Sequence, residues 1–476
     1  MRFQNRLILL FCAVLFLTSV SVIHILLAKD DHQRNARQRA RLSIPSGIQQ
    51  IHGHPGKRRQ NDAKFTVILE GGESQILRTP LRRNRPTHEK KKSPGNETLP
   101  RRDVPVRMKL RVGWDVQEMQ GTGHPWQQFH SDIHQDALYS EDAPYMASLL
   151  NDLATVKIVN VSLFDGGSQA KLDVRLADGN RAIVKPMRAS REFVYKYNKK
   201  EPFWLDQERH NAEIAAFHLD KILGFRRVCP CAGRLINLTQ ELLLNCKDQE
   251  LLKTVFRKDG NICFIGKCAP WFCNEEHPIC AKGDMMEISL CQFLPSFDGG
   301  FPIFQREYPW SQGVKESKVW KGKNICQDFL EQPVWMNGRY FLDLIEQGMF
   351  DFFIRNYDRH HFDMLYKYKR NGFIVFLDNG KGFGNPHEDD ITFLAPVYQC
   401  CKVRRSTYLH FQTLTQPESR LSDLLRTSMS HDPLAPVVTE HHLRAMDRRL
   451  ATVLQTIDKC IQTKGRDYVL VERTDM

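Results

Sequence analysis

Hydrophobic and polar positions along the chain divide it into four stretches. Leu7 to Ala28 is almost unbroken apolar sequence, long enough to cross a bilayer. Residues 29–112 are polar and basic with scattered Pro and Gly. They have too few apolar side chains to pay for order and read as a flexible tether. From Trp114 to Leu153, Trp114, Trp126 and Phe129 predict a helical extension that packs on a folded body. Beyond it the pattern becomes regular. Ala170 to Leu176 alternates as a strand, Asp178-Gly179 supplies a turn, and Arg181 to Lys185 reads as the return strand. Glu208 to Gly224 repeats apolar residues at helical spacing and stops at a glycine. Phe341 to Ile354 is apolar around most of its circumference and so predicts a buried helix. Leu443 to Ile461 is an amphipathic helix. Gly372 to Leu377 reads as a buried strand.

Charge separates the tether from the body. The chain carries 68 Lys+Arg and 55 Asp+Glu, a formal net charge of +13. Residues 1–112 hold 23 of the basic and 8 of the acidic residues, so the body is slightly acidic. A nucleic-acid-binding body is thereby excluded, and the tether's loose partners are acidic glycans or membrane surfaces. Arg2 and Arg6 ahead of the apolar stretch favour a cytoplasmic tip, and the length of the stretch favours a signal anchor over a cleaved signal peptide. No small-x-small site precedes Lys29.

Cysteine usage agrees with a secretory lumen. Of 13 cysteines, all but Cys12 lie from Cys229 onward. Their grouping predicts disulfides rather than zinc, because the spacings of Cys263, Cys268, Cys273 and Cys280 are not those of zinc pairs. Sequons at Asn96, Asn160 and Asn237 are compatible with that compartment.

The chemistry concentrates at Asn356-Tyr-Asp358-Arg-His-His-Phe-Asp363 and Asp378-Asn-Gly-Lys-Gly-Phe-Gly384. Three carboxylates on a loop–strand–loop unit suit phosphoryl transfer: one accepts the attacking hydroxyl's proton and others hold a divalent ion. The step from Asp358 to Asp363 equals that from Asp to Asn in the kinase catalytic loop. Lys185 ends Ala182-Ile183-Val184 as the phosphate-binding kinase lysine ends its strand. Glu208 and Glu213 lie about 140° apart around a helix, so one of them is free to be a surface residue. Asp165-Gly166-Gly167-Ser168 is a small glycine-rich turn of the kind that can approach phosphates. His360 and His361, adjacent and divergent, read as structural hydrogen-bonding groups rather than metal ligands.

With these blocks in order, the chain resembles the secretory-pathway atypical kinases called "family with sequence similarity twenty", and more distantly Four-jointed. The resemblance runs from about Thr155 to the end. It rests on Lys185-Pro-Met-Arg188, Glu208 to Asp220, Cys263-Phe-x-Gly-Lys-Cys268, Asp358-Arg-His-His361, Asp378 to Gly384 and Gln399-Cys400-Cys401. It implies an α+β, two-lobed, kinase-like fold with disulfides. The lobes would be residues 155–290 and 291–476, behind an anchor (1–28), a stem (29–112) and an extension (113–154). It implies ATP with Mn2+ or Mg2+, Asp358 as catalytic base, and Glu208 and Asp378 as metal ligands. Gln169, Lys185, Glu208, Asp363, Asp378 and a hinge at Cys291, Gln292, Phe293 and Leu294 would surround the nucleotide. Implied disulfides are Cys263–Cys280, Cys268–Cys273, Cys326–Cys400 and Cys401–Cys460; Cys229, Cys231, Cys246 and Cys291 fall outside that pattern.

The resemblance also implies a Golgi-membrane enzyme with a lumenal catalytic domain, as a homodimer or paired with the family's pseudokinase. Its acceptor would be serine of secreted proteins in Ser-x-Glu contexts, or the xylose of the glycosaminoglycan linkage region. Glu208 argues against the pseudokinase branch. Lys185-Pro-Met-Arg188, Glu208, Phe225-Arg-Arg-Val228 and Asp378-Asn-Gly-Lys-Gly382 lean to the protein kinase, which is the favoured branch. Gly384-Asn-Pro386, Leu394-Ala-Pro396 and Tyr398-Gln-Cys-Cys401 lean to the xylosylkinase. A lumenal scaffold on a kinase-like fold, without catalysis, is the reading from another class.

Overall fold

The computed structural model describes residues 123–197, 202–295, 303–312, 314–327, 339–365, 367–368 and 372–472, and two strands upstream. The apolar stretch Leu7–Ala28, Asn96 and most of the basic stretch lie outside the described residues. Within that stretch, β1 (Ala63–Ile68) and β2 (Ser74–Thr79) form an antiparallel pair. The uniform tether is corrected there: Phe65-Thr-Val-Ile68 and Ile76-Leu77 are strand-forming residues in an otherwise polar run.

The strand-rich half is a five-stranded antiparallel sheet, ordered β3 (Ile158–Leu163), β4 (Leu172–Leu176), β5 (Arg181–Pro186), β10 (Met285–Gln292), β6 (Cys231–Asn237). Leu172, Val184, Leu290 and Ala232 are directly opposed across four of these strands and buried. That row fixes the register, because a one-residue slip would turn it to the other face. Between β6 and β10 sits a smaller sheet of β7 (Phe256–Lys258), β8 (Asn261–Phe264) and β9 (Ile279–Cys280).

The helix-rich half is built on Tyr340–Ile354, whose fifteen residues are all buried. Three of its acidic residues are neutralised rather than exposed. Asp343 pairs with Arg227, Arg339 and Arg404; Glu346 with Arg227 and Arg404; Asp351 with Arg359. The long helix Glu440–Lys464 packs on the same core. A third sheet joins β11 (Ile303–Glu307), β12 (His361–Leu365) and β13 (Ile374–Val375), the last two lying between Asp358 and Asp378 in the chain. The strand expected over Gly372–Leu377 is therefore only Ile374–Val375. Asp363 lies on the partner strand β12, not on a loop.

Five disulfides brace these parts: Cys263–Cys280, Cys268–Cys273, Cys326–Cys400, Cys401–Cys460 and Cys231–Cys291. The last joins two directly opposed residues of β6 and β10, which settles two cysteines the sequence left open. Cys229 and Cys246 remain buried thiols. Two helices, Pro125–Asp132 and Met146–Thr155, form the extension. His130 Nε2 lies 2.9 Å from the Phe293 carbonyl, at the end of β10.

Candidate active site

Lys185 sits near the end of β5 and is 6% exposed. A buried ammonium must be paired, and three carboxylates meet it. They are Glu213 Oε1 at 2.5 Å, Asp378 Oδ1 at 2.6 Å and Glu208 Oε2 at 2.9 Å. Burial works against its charge, but Asp378, Glu208 and Glu213 more than offset this and hold its pKa well above the ordinary lysine value.

Glu208 precedes the helix His210–Ile222 and Glu213 lies in its first turn. Both are buried. The expectation that one of them is a surface residue does not hold, because Glu208 is in extended chain and the helical angle between them does not apply. Gln169, 1% exposed, fixes that segment by donating to the Asp206 carbonyl at 3.0 Å and accepting from the Glu208 amide at 2.9 Å. Gly380 closes over Glu208: a Cβ there would lie 3.0 Å from the glutamate side chain. The Gly380 carbonyl accepts from the Arg209 amide at 2.7 Å.

Asp378 takes a second ammonium, Lys171, at 3.0 Å; Lys171 also lies 3.8 Å from Glu208. Desolvation would raise the Asp378 pKa, but Lys171 and Lys185 hold it well below the carboxylate range. Its backbone is left-handed at φ 56°, a conformation that costs energy outside glycine and asparagine and clusters at functional sites. Its side chain keeps 53% of its surface open. Lys171 was missed by the sequence reading; the only hint is a lysine at the head of an otherwise alternating strand. A Cβ at Gly167 would fall 3.1 Å from the Lys171 ammonium, which ties the glycine-rich turn to this lysine.

The loop of Asp358 is locked to the Asp378 loop on its buried side. Arg359 donates to Asp351 (3.0 Å), to the Leu377 carbonyl and to Asn379 Oδ1 (2.8 Å). Asn356 donates to the Asp378 carbonyl at 3.3 Å and accepts from the Asp358 amide at 3.1 Å. Asp358 itself is partly open, with Lys381 Nζ 3.0 Å from Oδ2. His360 Nδ1 lies 2.5 Å from the Asp358 carbonyl, a structural contact. Asp363 takes a hydrogen bond from Gln305 at 3.4 Å on the neighbouring strand; burial raises its pKa and Arg359 opposes. The described cluster does not include it by direct contact.

In the hinge stretch, Cys291 is in its disulfide and Leu294 is buried. Gln292 exchanges amide hydrogen bonds of 2.9 Å with Asn180 and donates to the Phe293 carbonyl at 3.1 Å. The Phe293 ring lies 3.8 Å beneath the Arg181 guanidinium. The stretch is thus held rigid by its own neighbours and by His130.

Of the glycosylation candidates, Asn160 lies on β3, and the Asn237 oxygen caps the turn after β6 by accepting from the Gln240 amide at 2.9 Å.

Among the described residues no group of three His, Cys, Asp or Glu converges as a ready-made metal set. Glu208 and Asp378 do converge, through Lys185. Two carboxylates beside the ammonium groups of Lys171 and Lys185 fit an ion such as Mg2+ or Mn2+, which is held by one or two carboxylates together with nucleotide phosphates.

A basic residue on a central strand, paired with glutamates of a packed helix segment and with a loop aspartate beside a second aspartate, defines the class of kinase-like folds. Comparison supports that class. The chain matches a solved structure described as "crystal structure of the Golgi casein kinase with Mn/ADP bound" with TM-score 0.69 and 34% identity, over 74% of this chain and 85% of that one. The chain belongs to the Fam20 family: the profile "Golgi casein kinase, C-terminal, Fam20" matches residues 124–469. It is 38% identical over 357 residues to the human extracellular serine/threonine protein kinase FAM20C, covering 74% of this chain and 60% of that protein. It is 36% identical over 351 residues to the human glycosaminoglycan xylosylkinase, covering 73% of this chain and 83% of that protein. The chain therefore spans less than two thirds of the human serine/threonine kinase. Among the described residues no helix is long and apolar enough to cross a membrane.

Proposed function

We propose that this chain is a metal-dependent kinase of the secretory pathway that transfers the ATP γ-phosphate to serine hydroxyls of secreted proteins at Ser-x-Glu sites. The observation that carries it is the convergence of three carboxylates on Lys185. One ammonium facing the nucleotide phosphates is held by Glu208 and Glu213 from one side and Asp378 from the other. Retention of Glu208 in that cluster speaks against a pseudokinase role.

Lys185 and Lys171 bind and orient the nucleotide phosphates. Glu208 and Asp378 would hold the divalent ion, which would supply positive charge to those phosphates. Asp358 accepts the serine hydroxyl's proton at a carboxylate oxygen as that hydroxyl attacks. Gln169 acts by positioning Glu208, and the stretch Cys291–Leu294 walls the nucleotide base. Asp363 borders the site from β12. The family resemblance supports a lumenal catalytic domain behind the Leu7–Ala28 anchor in the Golgi, and a partner that is a second copy or the family pseudokinase.

A specific observation favours a second reading, phosphorylation of linkage-region xylose. Trp204 and Trp271 are 44% and 54% exposed. Trp204 borders Lys381, its carbonyl 3.2 Å from the ammonium, and Trp271 precedes Phe272, whose ring lies 5.9 Å from the same nitrogen. Exposed indoles suit the flat apolar face of a sugar. The blocks that lean to the xylosylkinase carry less weight. The Asn385 carbonyl is bound by Arg449, Pro396 packs against Gly348, and Gln399 bonds Trp310 and Trp320. These contacts are scaffold.

Transfer of radiolabelled phosphate from ATP with Mn2+ to a Ser-x-Glu peptide and, in parallel, to a galactosyl-xyloside tests both readings. Label in the peptide is expected. Label in the sugar alone would replace the first reading by the second, and label in neither would remove both.

A further inference from the structure

Lys381 is 5% exposed and has a charge that the fold must place. Two of its contacts are polar. Asp358 Oδ2 lies 3.0 Å away, and the ammonium donates to the Trp204 carbonyl at 3.2 Å. The Phe272 ring lies 5.9 Å off, inside the Cys268–Cys273 loop. Three separate segments meet at this one nitrogen: the loop that starts with Asp378, the loop that holds Asp358, and the short turn Phe203–Leu205 that leads to Glu208. Arg359 ties the same two loops from the buried side, through Asp351 and Asn379. Lys381 ties them at the mouth of the site.

The contact is also directional. Oδ2 of Asp358 is taken by Lys381, while Oδ1 lies 3.7 Å from His360 Nδ1, beyond hydrogen-bond length. A carboxylate free to rotate would present either oxygen. One pinned through Oδ2 presents Oδ1.

Resting on the kinase reading above, we propose that Lys381 is a positioning residue for phosphoryl transfer, fixing Asp358 so that Oδ1 faces the acceptor hydroxyl. In the step it serves, the acceptor oxygen forms a bond to the γ-phosphorus. The bond from that phosphorus to the β,γ-bridging oxygen breaks, ADP leaves with the electron pair, and the hydroxyl proton passes to Oδ1. Lys381 touches neither nucleotide nor acceptor in this role; it acts through Asp358.

The experiment compares wild type, Lys381→Met and Lys381→Arg in full steady-state kinetics with Mn2+ and ATP, beside nucleotide affinity measured without acceptor. Lys381→Met is expected to lower kcat about ten- to a hundred-fold, with KM for ATP and nucleotide affinity within about two-fold of wild type. Lys381→Arg, which keeps charge and donors, is expected to recover most of the loss. Lys381→Gln, smaller and uncharged, provides the same comparison if the Met variant does not accumulate. Unchanged kcat in the Met or Gln variant overturns the proposal, as does a parallel fall in nucleotide affinity, which would make Lys381 a nucleotide ligand. A wild type that labels no acceptor overturns the kinase reading itself, which separates the two failures.

Discussion

Glu213 accepts a hydrogen bond from the Asn379 backbone amide at 2.9 Å while the same oxygen holds Lys185 at 2.5 Å. A helix glutamate thereby couples the strand lysine to the loop of Asp378 without passing through solvent. The position of Asp378 is set by neighbours on both sides, which is how a left-handed aspartate can be sustained.

Asp378→Ala removes the carboxylate shared by Lys171 and Lys185. Metal-dependent phosphorylation is expected to be abolished while the protein still folds and is secreted, since Glu208 and Glu213 still neutralise Lys185. Secretion yield and transfer assays on the same preparation check this; full activity in the variant would sink the mechanism.

Lys171→Met tests the lysine that the sequence did not point to. With one ammonium gone, Asp378 and Glu208 are less neutralised, so Mn2+ alone is expected to bind more tightly. KM for ATP is expected to rise by about ten-fold, of the order of one lost charge-assisted contact. Metal titration and kinetics with varied ATP read the two opposite effects separately.

Asp220 gives a pH signature unrelated to catalysis. It is fully buried, and its pKa is pushed up to about 7 by burial, opposed by the amides of Val228 and Arg227. Its folded pKa is raised, so the folded state binds the proton more tightly and stability falls as pH rises from about 4 toward 7. The slope from this group is at most about 1.4 kcal/mol per pH unit. Asp220→Asn should therefore gain on wild type between pH 5 and pH 8, measured by denaturant unfolding at both. A constant difference would show that Asp220 stays ionised.

Replacing Cys231 and Cys291 together by serine opens a bridge with sequence separation 60. The expected cost is about 2–5 kcal/mol, seen as a lower unfolding midpoint that reductant no longer changes as much as in wild type. Activity at low temperature should persist, because the β6–β10 ladder keeps its backbone pairing.

What the sequence revealed and what it hid follow from the range of the interactions. The β4–β5 hairpin and the helix ending near Gly224 were legible because alternation, a turn glycine and helical spacing are local. Asp358, Asp378, Lys185 and Glu208 stood out as candidates because they sit in short, ordered blocks. Lys171 was not, since its role arises from a contact across 207 residues to Asp378. The angle between Glu208 and Glu213 misled because it assumed helix where the chain is extended. Cys231 and Cys291 could be paired only once β6 and β10 were seen to be neighbours, and Asp363 could be assigned to a strand only once β11 was seen beside it.

The contact between His130 and the Phe293 carbonyl has a consequence for processing. A cut just upstream of His124 would leave the proposed nucleotide wall latched by the helix Pro125–Asp132. A cut a dozen residues further on would remove the latch while leaving every residue of the Lys185 cluster in the product. The two products would differ by little more than one helix, and only the longer keeps His130 on the Phe293 carbonyl.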